Sequence, residues 1–255
     1  MLRYLQLGEN SFIPTYNLFV GIGLALAMLY LQYSGPFSKL NNDQKYKIHL
    51  GIFLSLIIGF VGAFVFDAYS QAIPIKWSNF KLIGLTLQGG MIAGLFSLVV
   101  FLKINSLPIY KTLNMLTPPF CLAHIFGRIG CFFAGCCFGT PTNLPFGVKY
   151  PETSLAHSHF KTDIYLHPTQ LYECIFILFV FLLVRSKFIK EPFLIYLILY
   201  SFFRFFIEFL RADDRGTIFN QSYLSPSQVI SVTVGLIAIA VYYFRFQNKL
   251  VYTKK

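Results

Sequence analysis

Charge is what this chain has least of. Charged residues make up 12% of its 255 residues, against about 25% in a soluble globular domain. A water-soluble fold of this length is therefore excluded. Tryptophan occurs once. No internal repeat, low-complexity stretch or second domain is visible, so residues 1–255 read as a single integral membrane domain. The net charge of +11 does not point to nucleic acid: the chain has no basic run and no RNA- or DNA-binding motif, and loop charge that orients membrane spans accounts for the excess. The N-terminus lacks a short apolar run ending in small residues, so a cleavable signal peptide is not expected.

Apolar residues are what remain. They form 56% of the chain, with 30 Phe and 16 Tyr. Seven stretches come near the ~20 residues that cross a bilayer: 13–33, 48–66, 82–102, 114–137, 168–184, 192–210 and 224–244. The fourth contains Pro118 and Pro119 and is expected to be kinked or broken. The fold class is thus all-α, a polytopic membrane protein with about seven transmembrane helices and a small extracytoplasmic loop region at 138–167. Lys and Arg number twelve in the flanks on one side and seven on the other. The positive-inside rule then places the N-terminus outside and the C-terminus in the cytoplasm.

Against this background the few charges inside spans stand out. Arg128 lies between Gly127 and Gly130, with no other charge from Lys111 to Lys149. Tyr200, Arg204 and Glu208 fall at i, i+4 and i+8 and share one helical face, which Arg211 continues at the water boundary. Glu173 opens the fifth span. An ionised group at membrane depth costs a few kcal/mol, so it marks a protein-lined site. A guanidinium fork matches oxyanions. The pattern therefore predicts an anionic ligand held by Arg128 and Arg204 and oriented by Glu208. The alternative is ion pairing alone, between Arg204 and Glu208 or between Arg128 and Glu173 or Glu208.

Gln88-Gly-Gly90 is expected either to bond a neighbouring helix and allow close packing or to line the site. His124, one turn before Arg128, is a candidate base. His157 and His159 lie in the long loop, and His167 heads the next span. Five cysteines are present, at 121, 131, 136, 137 and 174. Helical spacing keeps Cys131 apart from Cys136 unless the helix breaks. Cys-x4-Cys-Cys is not a usual zinc-knuckle spacing, so no metal is expected, a site shared with His157, His159 or His167 being the lesser alternative. Small buried packing residues, a disulfide and a lipid-carrying thiol remain open for these side chains.

Several motifs together resemble the bacterial prolipoprotein diacylglyceryl transferases. They are Ile13-Pro-Thr-Tyr16, Gly127-Arg-Ile-Gly130, His167-Pro-Thr-Gln-Leu-Tyr-Glu173, Tyr200-x3-Arg204-x3-Glu208-x2-Arg211 and Leu224-Ser-Pro-Ser-Gln228. The resemblance implies transfer of a diacylglyceryl group from phosphatidylglycerol, a membrane lipid, to the lipobox thiol of a preprolipoprotein. Glycerol phosphate would be released, no cofactor would be needed, and the protein would lie in the bacterial cytoplasmic (inner) membrane. It implies catalytic roles for Arg128, Arg204, Glu208 and Tyr200. It further implies that Arg128, Arg204, Tyr16, Gln88, Gly127, Gly130, Gly139 and Arg211 line the site for the lipid and the preprolipoprotein signal peptide region. Three departures from the family pattern matter. Gln88 replaces a His, Cys131 replaces an Asn and Cys136 replaces a Glu. They keep open a related transferase with a different acceptor, or a membrane thiol–disulfide protein.

Overall fold

Inside a bilayer the backbone must satisfy its own polar groups, and one chain segment does so only as a helix. The computed structural model describes residues 4–8, 11–71, 73–76, 86–213 and 223–253, and helices fill every apolar stretch it describes. In chain order they are α1 (Thr15–Tyr33), the short α2 (Gly35–Ser38), α3 (Asn42–Ser70), α4 (Leu87–Ile104), α5 (Ile109–Ala134), the short α6 (Leu155–Phe160), α7 (Thr169–Val184), α8 (Pro192–Ile207) and α9 (Pro226–Thr253). α1, α3, α5, α8 and α9 are long and apolar enough to cross a membrane, and α4 and α7 are shorter apolar helices. The architecture is that of an all-α, multi-pass membrane protein. One short antiparallel hairpin precedes α1, pairing Tyr4–Gly8 with Ser11–Pro14. Residues 82–85 of the third expected span lie outside the described residues.

The fourth span is not broken at its prolines, and it ends before its apolar run does. Pro118 and Pro119 sit inside α5 without interrupting it, as membrane helices tolerate when neighbouring groups take up the freed carbonyls. The helix also stops at Ala134, not 137. Gly135 adopts φ +69°. Its N–H bonds the Phe132 carbonyl at 3.2 Å, and the Cys136 N–H bonds the Cys131 carbonyl at 3.2 Å. This pair of bonds is a Schellman closure, with glycine at the left-handed position.

The described residues fall into two compact units. The second unit, within Ser34–Met115 and Arg215–Ile230, is built on the pairing of α3 with α4. Glycines line that seam. A Cβ on Gly90 would lie 3.1 Å from the Gly59 carbonyl oxygen, and one on Gly89 would lie 2.7 Å from that of Gly62 and strike Phe66. Small residues let helix backbones approach this closely. Gln88 accepts a hydrogen bond of 3.0 Å from Ser227 on α9. The Thr86 hydroxyl bonds Asp67 at 2.7 Å just before α4 begins.

The first unit, within Met1–Tyr33, Leu116–Asp214 and Ser231–Lys255, carries the charged positions. Phe176 on α7 stacks on Phe203 of α8 with centroids 4.1 Å apart. Gly23 of α1 packs against Ala123 and Phe126 of α5. Residues 135–168 form a loop region with its own small core of Phe138, Tyr150, Ala156 and Leu166.

The glycine seam makes a direct forecast. Gly89→Leu should lower the thermal midpoint of the purified protein in detergent, at a cost of about 1–3 kcal/mol for overpacking. Gly21→Ala, where a Cβ meets open space, should leave the midpoint unchanged.

Candidate functional site

Glu173 has no solvent exposure at all. Its carboxylate is the point where three helices and a loop meet. Arg128 Nε of α5 lies 2.7 Å from Glu173 Oε2. Arg211 Nη1 lies 3.4 Å from Oε1, and Arg204 Nη1 of α8 lies 4.0 Å from the same oxygen. Arg204 Nη1 also contacts Glu208 Oε2 at 2.7 Å. The Tyr200 hydroxyl stands between these groups: Arg128 Nη2 donates to it at 3.3 Å, and it donates to Glu173 Oε2 at 3.4 Å. Arg128, Arg204 and Glu208 are all buried.

Local structure delivers each side chain. Glu173 comes one turn into α7, whose first residues Thr169 and Gln170 are completely buried. Tyr200 and Arg204 occupy one face of α8, as their spacing predicts. α8 ends at Ile207, and a 3-10 turn over Glu208–Leu210 follows. Glu208 thus keeps its contact with Arg204, while Arg211 is not helical but extended. A short antiparallel bridge pairs Arg211 with Gly139. The Thr140 N–H bonds the Leu210 carbonyl at 2.8 Å, and the Gly139 N–H bonds the His167 carbonyl at 2.9 Å. Gly139 is required there: a Cβ would stand 2.7 Å from both the His167 and Leu210 carbonyl oxygens. This bridge swings the Arg211 guanidinium inward to Glu173.

The other expected site residues divide by place. A Cβ on Gly130 would meet the Tyr16 ring and backbone at 3.2 Å, so Tyr16 packs against α5 one half-turn beyond Arg128. Gly127 faces open space. Gln88 belongs to the second compact unit. His124 Nδ1 sits 3.0 Å from the Tyr196 hydroxyl, and its ring lies edge-on to Tyr200 at 4.9 Å. His167 pairs with the Tyr172 hydroxyl at 3.1 Å. His157 faces Asp163, and His159 packs on Phe138.

Glu173, which the sequence suggests only as an ion-pair partner, is the centre of the cluster. Its signal was present, as a lone carboxylate in an apolar span, but its three partners come from distant segments. Sequence reasoning missed Asp213. It holds Arg211 through two bonds, 3.0 Å from Oδ1 to Nε and 2.9 Å from Oδ2 to Nη2. Burial pushes the Asp213 carboxyl up to about 6, against the pull of the Arg211 guanidinium.

The end of α5 supplies the break that lets the cysteines meet. The Schellman closure after Ala134 folds Cys136 back over Cys131, and the sulfur atoms of Cys131, Cys136 and Cys137 lie within 4.8 Å of one another. All five cysteines are free thiols.

Comparison with known proteins gives a consistent result. A family model described as prolipoprotein diacylglyceryl transferase matches residues 4–244. A phosphatidylglycerol–prolipoprotein diacylglyceryl transferase of Clostridium tetani is 42% identical over 164 residues, which cover 62% of this chain and 63% of that protein. One from Clostridium perfringens, numbered 2, is 30% identical over 90% of each chain. One from Clostridium botulinum strain 657 is 31% identical over 94% of this chain and 96% of its own.

Two outcomes follow from the charge cluster. Glu173→Ala should leave three guanidiniums facing one another and cost about 3–5 kcal/mol, read as loss of monodisperse protein after extraction. Asp213 has a folded-state pKa above its unfolded value of 3.8, so the native state holds its proton more tightly. On its account stability should rise as pH falls through about 6 towards 4, and Asp213→Asn should flatten that part of a thermal-midpoint profile.

Proposed function

The chain belongs to the prolipoprotein diacylglyceryl transferase family, and from that premise we propose that it moves a diacylglyceryl group from phosphatidylglycerol to the cysteine thiol of a preprolipoprotein lipobox. One observation carries the reading of the site: the guanidiniums of Arg128 and Arg204, which come from different helices, converge on a single buried carboxylate. Two cations held that close in an apolar surround are poised for an oxyanion. The lipid phosphate would be met by the guanidiniums of Arg128 and Arg204.

In this scheme the acceptor thiolate attacks the glyceryl carbon that bears the phosphate ester. A carbon–sulfur bond forms, the carbon–oxygen bond breaks, and glycerol phosphate departs with the electron pair. The charge developing on the leaving phosphate is met by donors already in place, which is where such donors act most strongly. Tyr200 holds Arg128 against Glu173, and Glu208 holds Arg204. Arg211, pinned by the bridge to Gly139, keeps the third side of Glu173 neutralised. Tyr16, Gly127 and Gly130 border the same stretch of α5 and would face the lipid and the signal peptide region of the acceptor. The protein would lie in the inner membrane, with its N-terminus outside and its C-terminus in the cytoplasm, as the distribution of Lys and Arg favours.

The test uses purified protein, labelled phosphatidylglycerol and a lipobox peptide. Release of glycerol phosphate together with a lipidated peptide supports the reading. Arg128→Lys and Arg204→Lys, which keep the charge but lose the fork, should each lower kcat/KM by about 10²-fold or more with normal membrane insertion. Normal transfer in both variants would sink the phosphate clamp.

A further inference from the structure

The three clustered thiols are not needed for the phosphate clamp, and their arrangement is built with care. Cys131 is the last buried thiol of α5, while Cys136 and Cys137 are half-buried beyond its end. The Schellman closure brings residue 136 over residue 131. Cys137 then adopts φ +62°, a left-handed conformation that non-glycine residues take up at a cost and that gathers at functional sites. Two fully buried side chains of α7 hold this turn. The Gln170 amide donates to the Cys136 carbonyl at 2.6 Å, and the Thr169 hydroxyl donates to the Cys137 carbonyl at 2.6 Å. Tyr150 in turn fixes Gln170 through a 2.9 Å bond. The backbone is thus locked in the conformation that groups the sulfurs.

The three sulfur atoms lie within 4.8 Å of one another, and two of the three residues are only half-buried. Tetrahedral zinc with sulfur at ~2.3 Å needs an edge of about 3.8 Å, a contraction that side-chain rotation supplies. A disulfide would use two of these thiols and leave the third without a role. Arg128 Nη1 approaches Cys137 Sγ at 4.0 Å, so a donor to the sulfur is already present, as the outer shell of a thiolate–metal site requires. Three protein ligands and one open position are the composition of a catalytic zinc site, whereas structural sites are closed by four.

We infer that Cys131, Cys136 and Cys137 bind a zinc ion whose fourth position receives the acceptor thiol. This rests on the transferase reading given above. Coordination releases the thiol proton to water and holds the sulfur as thiolate. Attack on the glyceryl carbon then forms the thioether and expels glycerol phosphate with the electron pair of the broken carbon–oxygen bond. The neutral thioether is a poor ligand and leaves the metal, whose open position is restored. Arg128 joins the two halves of the site, since one nitrogen of its guanidinium faces Glu173 and another faces Cys137.

The experiment is a titration of the chelator-stripped, detergent-purified protein with cobalt(II), a spectroscopic probe of zinc sites. A thiolate-to-cobalt charge-transfer band with intense visible bands at one metal per chain is expected. Zinc should displace it, and a variant carrying Cys131→Ser, Cys136→Ser and Cys137→Ser should lack it. A lipobox peptide should shift the band, and the same peptide with Ser for Cys should not. Zinc-stripped wild-type protein should transfer about 10²-fold more slowly, the scale of a lost proton acceptor, with recovery on adding zinc. No band in the wild-type protein, or a band retained in the triple variant, overturns the site. A band unmoved by the thiol peptide overturns its role toward the acceptor. Should the variant fail to fold, the wild-type titration and stripping still decide. Full transfer by stripped protein sinks this inference but leaves the transferase reading standing. A peptide-shifted band with no transfer from phosphatidylglycerol does the reverse.

Discussion

A single carboxylate with no access to water organises the charged half of this protein. Glu173 faces Arg128, Arg204 and Arg211, and none of these groups could be buried alone. A lone buried ion costs several kcal/mol, and even a good pair rarely repays its desolvation. The cluster persists because each cation has more than one partner. Arg204 is shared with Glu208, Arg211 with Asp213, and Arg128 with Tyr200. Such a network holds α5, α7 and α8 in register, and it also concentrates positive charge where an anionic head group would enter. On the proposed function, structural and chemical roles would be carried by the same atoms. The ion-pair reading of these residues and the ligand reading do not compete.

The geometry around that centre also depends on glycines. Gly139 lets two backbone strands approach closely enough to turn Arg211 inward. Gly135 ends α5 in a left-handed conformation and so decides where the three cysteines meet. Gly130 brings α1, with Tyr16, against the helix that carries Arg128. In each case the absent side chain sets a distance of a few ångströms, and a charged or sulfur-bearing neighbour uses it.

Arg128 meets the Glu173 carboxylate with one nitrogen and the thiol cluster with another. A transferase that alkylates a thiol must neutralise a leaving phosphate and generate a thiolate, and the two tasks ask for opposite charge nearby. Here the guanidinium of one residue borders both regions. Gln88, which cannot accept a proton at neutral pH, is engaged with Ser227 in the other compact unit. On the inference drawn above, the acceptor thiol would lose its proton on binding at the sulfur-rich turn at the end of α5.

Composition and hydropathy alone determined that the chain is helical and crosses a membrane several times, because an apolar run of ~20 residues has no other way to satisfy its backbone in lipid. The i, i+4, i+8 spacing likewise placed Tyr200, Arg204 and Glu208 together, since that relation is local to one helix and the 3-10 turn that continues it. The motifs carried the family, because they preserve order along the chain. What tertiary structure decided is everything that joins distant segments. Glu173 became the centre only when three arginines from separate elements turned toward it. Arg211 left the helical face it was expected to continue, because a bridge to Gly139 outweighed one more turn. Cys131 and Cys136 met because the helix closed on Gly135. Such contacts depend on where chain ends turn and which backbones touch, and no periodicity within a single segment encodes that.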